Sequence, residues 1–355
     1  MGITGLLPLI KPILVKNNIK KYKGYRIGID GHAWLHQLGP IIAQDLYYRK
    51  TTDKHIHIIK RKLENLINLG ITPIIVFDGD CLPSKEHTNV SRRERKDKVL
   101  EEIELKLSQG KKSEANELMK RCVSITPDLV SSLIERLDSE YIISPYESDA
   151  QLSYLQKIKY IDCILTEDSD MVVYGCDKIL YKYDGMYVME YDKSKLIKVL
   201  DQHFINNMLD ICILSGCDYL KSVPGIGLKT AHKLMKKHND VNAIIEELKI
   251  KKEVPENYYK EFIRAKMTFI HQVIFDPILN KRKYHSGEMM EGYIFLGLVD
   301  KHKPTIIKGL DELNDSVKTT EIKVSKEKIL KKITPVTNVV KDILRKKVKR
   351  SNKIQ

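Results

Sequence analysis

The sequence predicts an α/β protein with a twisted, mostly parallel central sheet flanked by helices, and three observations carry that prediction. A short strand pattern at 25–29 and a nearly continuous apolar run at 71–77 read as strands covered on both faces. Each ends in Asp-Gly, at Asp30-Gly31 and Asp78-Gly79, and helical periodicity fills 35–69 between them. A third run, 161–165, is followed at once by Asp168 and Asp170. A β-α-β crossover brings the carboxyl ends of parallel strands to one edge. That is the edge where open α/β sheets bind ligands.

The acids at this edge are the first functional signal. A helix over 147–157 would hang Glu147 and Asp149 above the ends of the strands that deliver Asp30, Asp78, Asp168 and Asp170. Crowded or buried carboxylates cost several kcal/mol unless cations compensate them. The compensating cation that suits an all-oxygen cluster is Mg²⁺. A structural alternative stands beside this: Ser144-Pro145-Tyr146-Glu147 fits a capping box with Pro at the first helical position, and each Asp-Gly fits a turn.

Composition narrows the partner. The 355 residues carry 61 Lys and Arg against 47 Asp and Glu, a formal charge of +14, which points to a polyanion and most often to nucleic acid. The six cysteines form no C-x-x-C pair and read as free thiols, with no zinc site and no disulfide framework. No apolar run approaches the roughly 18 residues of a membrane span. The patch 6–10 is short, broken by Pro8 and without a cleavage signal, so a signal peptide is not expected.

Between 83 and 126 the chain turns strongly charged and reads as two helices joined around Gln109-Gly110, with an apolar face through Val99, Ile103, Leu107 and Leu118. Lys85 and Arg92, seven residues apart, share one face if the first helix begins near Ser84. Their place just after Asp78 would let them reach a phosphate held by the acids; the alternative is a solvated helix. Strands follow at 178–183 and 186–191, then a helix at 201–214 and a further loop acid, Asp218. Val223-Pro224-Gly225-Ile226-Gly227 precedes a helix bearing Lys229, Lys233, Lys236 and Lys237. Two glycines and a helix N-terminus suit a DNA phosphate held without base reading; a plain helix–helix turn is the alternative. An amphipathic helix covers 257–275, and lysines accumulate from about 301 to the run 344–350, a basic and flexible tail that fits a nuclear localisation signal or nonspecific DNA affinity.

Longer motifs add a resemblance. The N-terminal Met1-Gly2-Ile3-Thr4-Gly5-Leu6-Leu7, VFDGD at 76–80, SRRER at 91–95, YESDAQLSYL at 146–155, TEDSD at 166–170 and LSGCDYLKSVPGIGLKTA at 214–231 resemble the flap endonuclease/XPG superfamily of structure-specific 5′ nucleases. The likeness runs from residue 1 to about 300. KYKG at 21–24, WLH at 34–36, LPSK at 82–85 and FDP at 275–277 resemble its exonuclease 1 branch more than the flap endonuclease branch.

The resemblance implies a PIN-like 5′-nuclease fold over 1–300: an N-terminal nuclease region at 1–99, a helical arch at 84–125, an internal nuclease region at 138–220 and a helix-two-turn-helix at 215–237, with 301–355 as the tail. It implies two Mg²⁺ ions, with Mn²⁺ as a substitute, about 4 Å apart. One ion falls to Asp30, Asp78 and Asp149, with Glu147 acting partly through water; the other falls to Asp149, Asp168, Asp170 and Asp218. It implies that Lys85 and Arg92 clamp the scissile phosphate and that Gly2, after loss of Met1, sets its amine beside the substrate. The DNA contacts it implies are His32, His36, Arg93, Arg95, Gly225, Gly227, Lys229 and Lys233. A K⁺ would be held by Ser215, Ser222 and the carbonyl of Ile226, and the segment 35–52 would be the wedge that bends the duplex.

The implied activity is 5′ to 3′ exonuclease and 5′-flap endonuclease action in DNA repair, mismatch repair included, by a nuclear monomer on duplex DNA with recessed 5′ ends, nicks, gaps or flaps. Two departures stand out. Position 32 is His where the branch tends to carry Tyr, and the 355 residues do not include the long C-terminal region through which larger relatives engage mismatch-repair proteins. A replicative flap endonuclease is the nearest alternative, though no clamp-binding box is found in the tail; a noncatalytic DNA-structure-binding scaffold is the more distant one.

Overall fold

The computed structural model of the chain describes residues 2–290 and 292–299 and the strand Ile307–Lys308. Ten strands are found among the described residues: β1 Val15–Asn18, β2 Arg26–Asp30, β3 Thr72–Phe77, β4 Glu140–Ile143, β5 Cys163–Leu165, β6 Lys178–Tyr181, β7 Tyr187–Asp192, β8 Val273–Asp276, β9 Lys281–Tyr284 and β10 Ile307–Lys308. Eight form one sheet in the order β1-β7-β6-β5-β2-β3-β4-β10, and β8 and β9 form a separate hairpin. The five central strands, β6-β5-β2-β3-β4, run parallel; β1, β7 and β10 add antiparallel edges.

The apolar runs form strands because both of their faces are covered. Ile74 and Val76 of β3 face one hydrophobic cluster, and Ile75 and Phe77 face the other. Ile29 is in register with Ile75 and Leu165, so the chain leaves β2, β3 and β5 at one edge, as expected. β4 adds a fourth exit there, since Phe77 pairs with Ile143. Gly28 lets the helix Ser148–Lys157 lie close on β2: a Cβ at Gly28 would stand 2.4 Å from Ile161 and 2.8 Å from Leu152.

Several boundaries differ from expectation. The span 35–69 is two helices, Gly31–Tyr47 and Lys54–Asn68, because Arg49 takes a left-handed φ of 52° between them. The span 201–214 is likewise two, Gln202–Asn206 and Met208–Ser215. The strands expected at 178–183 and 186–191 are β6 and β7, shifted by one or two residues. Helix 257–275 ends at His271: Gln272 turns to an extended ψ of 145°, and the apolar run that follows becomes β8. The charged pair forms as expected, Glu86–Ser108 and Lys112–Met119 around Gly110, closed by Ile103, Ala115, Leu118 and Met119 against Ala43. The basic run 344–350 lies outside the described residues.

Candidate active site

The edge of the sheet gathers the seven acids. Asp30, at the end of β2, caps the helix Gly31–Tyr47: its Oδ1 accepts from Ala33 N at 2.9 Å, and its Oδ2 from the Thr166 hydroxyl at 2.9 Å. Asp30 is therefore a helix cap, where Asp-Gly suggests a turn, and capping accounts for one of its oxygens. Asp78, just past β3, accepts from Ser148 N at 2.7 Å and so caps the helix Ser148–Lys157 from another strand. Asp168 accepts from Asp170 N at 2.9 Å, and Asp170 accepts from Ile3 N at 2.9 Å, which pins the N-terminal segment to the site.

The capping box at Ser144 and Glu147 does not form. The Ser144 hydroxyl bonds the carbonyls of Phe77 at 2.7 Å and Tyr146 at 2.8 Å, and the helix begins four residues later. Glu147 is left free of capping and is buried among Lys85, the Tyr219 hydroxyl and Gln272 Nε2, the last at 3.2 Å. Asp149 lies in the first turn of the same helix.

The electrostatics state how short of cations this cluster is. Burial, aided by the charge of Asp78, raises Asp30 to about 6. Burial, then Asp168, Asp30 and Glu147, pushes Asp149 well above the usual carboxylate range; burial, then Asp168 and Asp218, does the same to Asp170. Burial also raises Asp168. Burial opposes the charge of Asp78 and Asp218, yet both are held below the usual range, Asp78 chiefly by His32 and bonds from Ser148, Asp218 by Lys85 and Arg92. An all-oxygen donor set in this state fits hard divalent cations.

The two basic residues predicted to face the site do so. Lys85 bonds Glu147 and stands 2.8 Å from Asp218 Oδ2; Arg92 Nη2 lies 2.9 and 3.1 Å from the two Asp218 oxygens. Lys85 sits in a single turn, Pro83–Lys85, just ahead of the helix that carries Arg92. Burial works against its charge, but Glu147 and Asp218 hold its ammonium pKa well above the ordinary value. Gly2, at φ 84°, is wedged against the acids: a Cβ there would stand 2.1 Å from Asp168 Oδ1 and 2.6 Å from Asp170 Oδ1.

His32 accepts from Asp78 N through Nδ1 at 3.1 Å and packs edge-on against Phe77, so one ring nitrogen is engaged with the acid strand. His36, one turn further along the same helix, is exposed at the surface, and desolvation of its ring and then the charge of His32 lower its pKa. Arg93 and Arg95 are exposed on the helix Glu86–Ser108. In the 223–227 turn Gly225 and Gly227 are exposed and Ile226 is buried, and Lys229 and Lys233 project from the following helix Leu228–His238. Lys236 and Lys237 instead pair with Asp201 and Glu247, at 2.6 Å each. The Ser215 hydroxyl donates to Cys212 O at 2.8 Å, and Ser222 packs against Gly216. Sequence reasoning missed Thr166, Tyr219 and Gln272, which brace Asp30 and Glu147. Thr166, placed between a strand and an acid pair, was the one with a local signal.

Two family models match the chain, the XPG N-terminal domain over residues 1–99 and the XPG I-region over 139–218. Exonuclease 1 of Xenopus laevis is 38% identical over 294 residues, covering 79% of this chain and 40% of its own. The chain thus spans less than half the length of that relative. The DNA damage-inducible protein DIN7 of Saccharomyces cerevisiae is 34% identical over 297 residues, covering 79% of this chain and 68% of its own. Among solved structures, the catalytic core of Rad2 in complex with DNA substrate superposes with a TM-score of 0.53 at 21% identity, over 90% of this chain and 95% of that one, a likeness of fold. The chain belongs to the flap endonuclease/XPG superfamily, in its exonuclease 1-like branch.

Proposed function

We propose that the chain is a Mg²⁺-dependent 5′ to 3′ exonuclease on double-stranded DNA that also cuts 5′ flaps, acting in the nucleus in DNA repair. The observation that carries this reading is the convergence of seven carboxylates on one sheet edge with two cations, Lys85 and Arg92, already resting on them. Asp30, Asp78 and Asp149, with Glu147 partly through water, would hold one ion; Asp149, Asp168, Asp170 and Asp218 would hold the other. Two such ions supply activation of the attacking water and stabilisation of the leaving 3′ oxygen. No side-chain nucleophile is needed.

The remaining roles fall to residues around the acids. Tyr219 and Gln272 fix the Glu147 carboxylate from behind. Lys85 and Arg92 can swing from Glu147 and Asp218 to the scissile phosphate, where charge builds in the transition state. Gly2 offers its close backbone approach beside Asp168 and Asp170. Along the duplex, Gly225, Gly227, Lys229 and Lys233 would hold phosphates without reading bases, with K⁺ at Ser215, Ser222 and the Ile226 carbonyl as a further phosphate partner. His32, His36, Arg93 and Arg95 would meet the strand that enters the site.

The test uses purified protein, Mg²⁺ and two labelled substrates at equal concentration, a duplex with a recessed 5′ end and a nicked duplex with a 5′ flap. Stepwise loss of nucleotides from the recessed end, absent in Asp170→Ala, is the expected result. Cleavage confined to the flap junction would move the assignment to a flap endonuclease. Tight binding with no cleavage of either would defeat the proposal of an enzyme.

A further inference from the structure

Away from the acidic edge, a second cluster of metal-type ligands joins two helices. Asp201 precedes the short helix Gln202–Asn206 and caps it by accepting from Phe204 N at 2.8 Å, which sets His203 in the first turn. His232 comes from the helix Leu228–His238, the one that follows the 223–227 turn. One ligand atom from each of Asp201, His203 and His232 falls in a group whose members all lie within 4.8 Å of one another. The two imidazoles face each other with centroids 5.7 Å apart and planes inclined by 32°.

Two ring nitrogens here lack a hydrogen bond. His203 Nδ1 and His232 Nε2 are both buried without a hydrogen bond; the latter stands 3.3 Å from Asp201 Oδ1, in poor geometry for one. A buried, unsatisfied polar atom is destabilising and calls for an explanation. Lys236 sits on Oδ2 at 2.6 Å and Phe204 N bonds Oδ1, so a metal would share the carboxylate with both.

We propose that Asp201, His203 and His232 form a Zn²⁺-type site that clasps the helix Gln202–Asn206 to the helix Leu228–His238, separate from the acidic cluster. Two imidazoles and one carboxylate are a borderline-soft donor set, which selects Zn²⁺ over the Mg²⁺ that an all-oxygen site takes. Tetrahedral bonds of about 2.1 Å set ligand atoms about 3.4 Å apart, so closure from separations of up to 4.8 Å needs side-chain movements of about an ångström. The three protein ligands leave a fourth position for water. The clasp fixes the helix whose exposed Lys229 and Lys233 face outward, so its consequence is rigidity of that helix.

The full chain is freed of metal with a chelator, exchanged into millimolar Mg²⁺ to satisfy the acidic cluster, and titrated with Zn²⁺ by calorimetry and thermal melting, with Co²⁺ as the absorbing probe. Saturable uptake of about one Zn²⁺, a melting temperature raised by about 3 °C, and a Co²⁺ visible band are expected. His232→Gln and His203→Gln should each weaken uptake at least about tenfold, while Asp170→Asn leaves it unchanged. Both histidines are partly exposed, and matching far-UV spectra of the metal-free variants check that they fold. Absence of saturable uptake in excess Mg²⁺, or uptake equal in wild type and both histidine variants, overturns the site. Loss of uptake in Asp170→Asn with retention in His232→Gln assigns the Zn²⁺ to the acidic cluster and overturns it as well.

Discussion

Replacing Asp170 by Asn should abolish cleavage and, in the absence of metal, stabilise the fold. Asp170 is 6% exposed, faces Asp168 and Asp218, and has Lys85 as its main compensating charge. Like charges about 4 Å apart repel by about 4 kcal/mol at an effective dielectric of 20. Lys85 offsets part of that, and the Asn amide gives back about 1 kcal/mol for its unpaired N–H groups. A net gain of about 2 kcal/mol remains, or about 4 °C in melting temperature for a domain of this size. The acceptor for Ile3 N survives in Asn, so the contact that pins the N-terminal segment is kept.

The pH dependence fixes the cause. The folded pKa of Asp170 lies above its unfolded value near 4. The wild-type fold therefore has its full stability below about pH 4 and loses it as pH rises through the folded value. Asp30, raised to about 6, loses stability over the same direction of pH. The advantage of Asp170→Asn in chelator should thus be largest at pH 7.5 and vanish near pH 4, and Mg²⁺ should narrow it at pH 7.5 by stabilising the wild type. Thermal melts of both proteins across this range, with and without Mg²⁺, make the comparison. A variant that melts below wild type by the same margin at every pH would refute the reasoning that the site is held under electrostatic strain.

Three further outcomes follow from the same geometry. Gly2→Ala should lower cleavage by at least about tenfold with DNA affinity little changed, because its Cβ would strike Asp168 and Asp170; wild-type turnover would show that the N-terminal segment moves aside. Lys85→Met should reduce single-turnover cleavage by about 10²–10³-fold, and a flat response would remove Lys85 from the transition state. The pair Lys229→Glu and Lys233→Glu should weaken binding to duplexes of any sequence and reduce the dependence of log affinity on log salt by about 0.9 for each phosphate that the protein no longer neutralises. An unchanged salt slope would place the duplex elsewhere.

The parts legible in the sequence were those whose physics is local. β2, β3 and β5 are covered on both faces, so their composition alone marks them, and the acids that follow are conspicuous against apolar neighbours. β4 was not legible: it has four residues and opens on Glu140, a charge tolerated only because Arg26 lies 3.1 Å away and the Tyr160 hydroxyl bonds it. Without β4, the residues 144–147 looked like a helix cap, and their true role as an exit loop stayed hidden. β1 was missed because Val15-Lys16-Asn17-Asn18 is largely polar, as an antiparallel edge permits. β8 continued the apolar spacing of the preceding helix. The bond from Tyr219 to Glu147 spans 72 residues and depends on two elements packing together, which no short-range pattern encodes.

The ion pairs of Lys85 and Arg92 couple the two halves of the site. Each cation has one charge to place, and here both rest on acids that the proposal assigns to metal. A phosphate that draws Lys85 away leaves Glu147 and Asp218 uncompensated and so favours cation binding there. Cations bound to the acids release Lys85 and Arg92 and so favour phosphate binding. Because linkage is reciprocal, whatever factor the divalent ion adds to DNA affinity, DNA must add to the affinity for the ion. On the proposed function the basic residues would serve the same carboxylates in two ways, as their counterions before substrate arrives and by anchoring the substrate afterwards. Such an exchange would keep the carboxylates partly compensated both without and with substrate.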